Sequence, residues 1–108
     1  MIKQTQKEQE NRKIINKYCR LADAAAAALE DAQQKFKTFD ESLTLATFTA
    51  FEDALIAYNT SLLDRFNYWL QYWEALGCTE KPTRTSNVYR EINENLNAIQ
   101  YQRERVQQ

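Results

Sequence analysis

The chain has 108 residues, 44% of them hydrophobic, with 14 basic and 15 acidic side chains and a net charge of -1. This length suits one domain, 1–108, around one hydrophobic core. Near-neutrality excludes a global electrostatic drive toward nucleic acid or an anionic membrane, and a single Gly and a single Pro exclude a turn-rich β architecture. The expected fold class is all-α.

The N-terminal stretch MIKQTQKEQENRK has no apolar segment of the length a secretory signal needs, and no apolar run approaches the ~20 residues that span a bilayer. A cytoplasmic protein is expected, with residues 1–10 frayed. A first helix, about 11–37, is predicted from Ile14, Ile15, Tyr18, Leu21, Ala25, Leu29, Ala32, Phe36 and Phe39, which recur at spacings of three and four. The small side chains of Ala22, Ala25, Ala28 and Ala32 offer a second helix a close approach.

The sequence TFDE, Thr38 to Glu41, matches a capping box, so a second helix is predicted over about 41–76. Its main stripe runs through Phe48, Phe51, Leu55, Tyr58, Leu62, Phe66, Trp69, Trp73 and Leu76, and Gly77 is placed to end it. A polar loop with Pro82 follows. A third helix, about 86–106, carries Val88, Tyr89, Ile92, Leu96, Ile99 and Val106 on its apolar face. Short connections put sequential helices side by side, which predicts an antiparallel three-helix bundle of two long helices and a shorter third. A turn near residue 39 would set Cys19 level with residue 59 and far from Cys78, so two reduced cysteines are expected.

The second helix has more apolar surface than two neighbours need. Beside the core stripe, Ile56, Leu63 and Leu70 form a line at seven-residue spacing, and Tyr68 and Tyr72 form the opposite flank. Tyr101 lies opposite the apolar face of the third helix. These six residues are the candidate protein interface, for a second copy that completes the bundle or for another protein, since aromatic and large aliphatic side chains dominate binding hot spots.

Chemistry is sparse. Histidine is absent, which removes the commonest general base and metal ligand and every Ser-His or Cys-His nucleophile. Adjacent acids such as Glu52-Asp53 point to different helix faces, and Gly77 alone makes no phosphate cradle. No enzyme activity, metal, cofactor or small-molecule substrate is expected. Charge is uneven: residues 1–20 hold six basic and two acidic side chains, whereas residues 21–64 hold two and eight. Lys13, Lys17 and Arg20 in the first helix, with Arg84, Arg90, Arg103 and Arg105 toward the C-terminus, are candidates for a local nucleic-acid contact.

The leading expectation is a non-enzymatic protein-binding module, acting as a homo-oligomer or as a small subunit or regulator of a larger complex. The alternative is a nucleic-acid-associated small helical subunit of a nucleoprotein complex. The small subunit of a CRISPR effector complex is similar in size and helical character, although no diagnostic motif marks it here. Small secreted helical hairpins with a Trp-x-Gly turn do not fit, because YWEALG sets Trp73 and Gly77 too far apart.

Overall fold

The computed structural model describes residues 5–77 and 85–107, and among them forms three helices and no strand: α1 Gln6–Ser42, α2 Leu45–Ala75 and α3 Thr85–Arg103. Helix α1 begins earlier than periodicity predicts because Thr5 caps it. The Thr5 hydroxyl accepts from the Glu8 amide at 3.2 Å, and the Glu8 carboxylate accepts from the Thr5 amide at 3.4 Å.

The turn between α1 and α2 also lies later than expected. Helix α1 runs through Thr38–Glu41 instead of stopping there, and the Thr38 hydroxyl donates back to the Gln34 carbonyl at 3.3 Å. Continuing the helix places Phe39 on the face of Ala32, where it is fully buried against Phe48 and Phe51. Burying a phenylalanine contributes about 2–3 kcal/mol, more than the ~1 kcal/mol of a cap, so tertiary packing overrides the local signal. The chain reverses at Leu43, whose φ is 55°, and its amide closes α1 on the Phe39 carbonyl at 2.7 Å. Thr44 and Thr47 then form the capping box of α2.

Phe39 meets Phe48 beside the turn and Tyr18 stacks on Tyr72 at the far end, so α1 and α2 run in opposite directions. The later turn brings Cys19 level with the Gln71–Tyr72 turn of helix, well beyond the level of residue 59. Cys19 is a free, exposed thiol, and Cys78 lies outside the described residues. Ala25 and Ala32 are buried in the contact with α2, as the alanine run implies. Gly77 ends the α2 segment at φ 81°, a conformation that suits glycine.

Helix α3 lies against α2 alone. Asn95 bonds Asn59, Glu91 bonds Tyr58 and Arg103 pairs with Glu52, which makes this pair antiparallel too. No Cα of α1 comes within 8 Å of a Cα of α3. The helices therefore form an open layer whose Cα atoms span 66 × 28 × 13 Å, with α2 in the middle. After α3 the tail folds onto the α1–α2 turn: the Gln107 amide donates to the Leu43 carbonyl at 2.8 Å, and Arg105 pairs with Asp40 at 2.8 Å.

Candidate interaction surface

An open layer cannot cover the middle helix on every side. The buried residues of α2 are Phe48, Phe51, Ala54, Leu55, Tyr58, Asn59 and Leu62, an arc shared between α1 and α3. Outside it, Ile56, Leu63 and Leu70 are 46%, 36% and 47% exposed, so the seven-residue line reaches solvent.

Helix α3 extends this line. Tyr89 and Leu96 were expected on its core face, yet they are 55% and 49% exposed. The rotation of α3 about its axis explains this. Asn95, Ile99, Ile92 and Glu91 take the inward positions, and Leu96, one step round from Asn95, falls at the rim. Arg103 shares that rim and reaches Glu52, on the same side of α2 as Ile56 and Leu63, which fixes which edge of α2 the rim adjoins. The pairings Asn59–Asn95 and Phe66–Tyr89 set the level. Leu96 then lies between Ile56 and Leu63, and Tyr89 between Leu63 and Leu70. The result is an apolar seam along the α2–α3 edge, about 21 Å long at ~1.5 Å per residue. Tyr89 and Leu96 share the seven-residue spacing of the α2 line, which is the signal in the sequence that could have found them.

The opposite flank is not free. Tyr72 stacks on Tyr18 with centroids 4.1 Å apart and planes at 13°, and Lys17 Nζ sits 4.4 Å over the Tyr68 ring. Helix α1 approaches α2 from this side, so these two candidates belong to the hairpin. Tyr101 is exposed on the far side of α3 and stands apart from the seam. Leu76, expected in the core, is also exposed, at the end of α2.

On the other side of the layer, the valley between α1 and α3 has Phe51 and Leu55 in its floor and Leu29, Phe36, Ala98 and Gln102 in its walls, enclosing about 310 Å³. Further along, Tyr58 donates to Glu91 Oε1 at 2.8 Å. Burial first, then this bond and the charge of Glu91, push the phenol up to about 12, against the opposing pull of Arg65.

The basic candidates do not form one patch. Arg103 pairs with Glu52 and Arg105 with Asp40 beside the α1–α2 turn, where their guanidinium groups lie over Phe48 and Phe39. Arg90 pairs with Glu94 on its own helix at 3.2 Å. Lys13, Lys17 and Arg20 are exposed, form no ion pair among the described residues, and lie about 30 Å from Arg103 by helical rise. Arg84 lies outside the described residues. Among the described residues no three potential metal ligands converge, and no helix is long and apolar enough to cross a membrane. Comparison with protein-family models, curated proteins and solved structures finds no match for this chain.

Proposed function

We propose that this chain is a non-enzymatic protein-binding module whose docking surface is the α2–α3 seam. The observation that carries the reading is the alternation of Ile56, Leu96, Leu63, Tyr89 and Leu70 along one edge, every one of them exposed. Contiguous apolar strips rimmed by polar residues suit partner proteins, because burying them stabilises a complex without new chemistry. The test is affinity capture of the tagged chain and of its Leu63→Glu variant from the native host, with the bound protein identified. Loss of a specific partner, self included, on Leu63→Glu supports the seam; an unchanged set of bound proteins refutes it.

A second reading is supported by the unneutralised cations of α1. Lys13, Lys17 and Arg20 could follow phosphates, whereas Arg90, Arg103 and Arg105 are already engaged by acids. Fluorescence anisotropy with a labelled single strand at low salt decides it: affinity that falls with salt and vanishes on changing the three residues to Glu supports the reading, and no binding disposes of it.

A further inference from the structure

We infer that the chain binds a small organic acid, one carboxylate on an apolar body, in a pocket where Arg65 supplies the counter-charge. The inference stands apart from the docking reading, since no residue of this pocket belongs to the seam. It begins with the cations. Three of those described are half-buried: Lys35, Arg65 and Arg105. Lys35 pairs with Asp31 at 2.7 Å and Arg105 with Asp40 at 2.8 Å. Among the described residues Arg65 has no ion pair and no hydrogen bond, and it stacks over no ring. A guanidinium partly withdrawn from water loses hydration, and here no carboxylate of the chain offsets the loss. An anion from outside does so.

The surroundings of Arg65 form a place for that anion. With Phe66 and Trp69 of α2, Tyr18 of α1 and Val88 of α3, it lines a cleft of about 90 Å³ where the three helices converge. The walls are set before anything binds: Tyr18 is stacked on Tyr72 with centroids 4.1 Å apart, and Trp69 lies along Phe66 at 6.2 Å. The Tyr18 hydroxyl and the Trp69 indole N–H have no hydrogen-bond partner among the described residues, so the lining holds further donors. The cleft is well below the ~300 Å³ that a drug-sized ligand fills, and it suits one planar charged group with the few carbons beside it.

Charge selects a carboxylate over a phosphate or sulfate. A guanidinium meets a carboxylate through two parallel N–H···O bonds, one cation for one negative charge. A dianion brings a second charge, and the nearby acid repels it. Glu91 stands one turn along α3 from Val88 and accepts from Tyr58, the same phenol on which Arg65 acts. The aromatic rings and Val88 then favour an apolar body over a hydrated one.

The experiment is a titration of the full chain with sodium benzoate, followed by nitrogen–proton correlation spectra, with benzamide and sulfate as comparisons at matched ionic strength. The expected result is a saturable shift of the Arg65 Nε–H and Trp69 indole signals, with a dissociation constant on the order of 1 mM. Benzamide, alike in shape and uncharged, and sulfate, doubly charged, bind at least about 10-fold more weakly. Arg65→Gln weakens benzoate by about 10-fold or more, Arg65→Lys recovers part of the loss, and Arg90→Gln, outside the pocket, changes nothing. Circular dichroism checks that each variant keeps its helices. No saturable shift up to about 20 mM benzoate overturns the inference, that ceiling marking an affinity too weak for a formed site. Equal binding of benzamide overturns the role of charge, and tighter binding of sulfate overturns the carboxylate. Both comparisons are read on the unaltered chain, so they decide the matter even if Arg65→Gln fails to fold.

Discussion

Asn59 is the one buried polar side chain among the described residues, 7% exposed, and its amide oxygen accepts from Asn95 Nδ2 at 2.8 Å across 36 residues of sequence. The two partners are not equivalent. Asn59 sits in the core arc of α2, while Asn95 is half-buried and within reach of water. Asn59→Ala deletes the buried acceptor and lets Asn95 turn to solvent. The lost bond is worth about 1 kcal/mol and the vacated volume adds roughly as much again. Asn95→Ala removes less buried volume but strands a carbonyl in the core, which costs about 1–3 kcal/mol. The more exposed position is therefore expected to be at least as sensitive as the buried one. Urea titrations followed by circular dichroism on both single variants and the double variant give a coupling energy, expected near ~1 kcal/mol. Additive single effects, with coupling below about 0.3 kcal/mol, would refute the claim that this bond fixes the level of α3 on α2.

Three further outcomes follow from the same contacts. The Tyr58 phenol is held up to about 12, above its usual value of 10, so between those pH values the unfolded chain has released a proton that the folded chain keeps. Stability is therefore complete below pH 10 and falls as pH rises toward 12, and Tyr58→Phe should flatten that decline in denaturation curves compared at pH 9 and pH 11. Ala25→Leu overfills the α1–α2 contact, where Ala25 is 2% exposed, and is expected to lower stability by about 1–3 kcal/mol in thermal or urea unfolding. Thr44→Ala removes the hydroxyl that caps α2 and should cost about 1 kcal/mol by the same measurement, whereas Thr38→Ala, at the cap position suggested by sequence, should cost markedly less.

That contrast between Thr38 and Thr44 shows where the sequence is legible. Helix content, the Phe48 to Leu62 stripe and the role of Gly77 are legible because each depends on spacing or on a local backbone preference. The exposure of Ile56, Leu63 and Leu70 is legible for a related reason: the line sits off the core arc of its own helix. The site of the turn is not, because a local cap at Thr38 competes with burial of Phe39 against residues nine and twelve positions ahead. Nor are the fates of Tyr68 and Tyr72, which depend on the side from which α1 approaches. The exposure of Tyr89 and Leu96 depends on the rotation of α3, set by polar pairs to Asn59 and Tyr58 that hydrophobic periodicity ignores. The separation of the basic residues follows from topology: alternating helices set the C-terminal end of α3, with Arg103 and Arg105, at the opposite end of the layer from Lys13.

The attachment of α3 has a thermodynamic consequence. Its packing partner is α2, with its tail tied to the α1–α2 turn through Gln107, while α1 and α2 pack along most of their lengths. Local unfolding should therefore proceed in two steps, α3 exchanging its amide hydrogens as one unit at a lower free energy than the hairpin. Since Tyr89 and Leu96 travel with α3, each such opening removes two of the five seam residues. Anything bound there must then slow exchange in α3 most of all, by its own binding free energy, which makes hydrogen exchange in this single helix a gauge of occupancy.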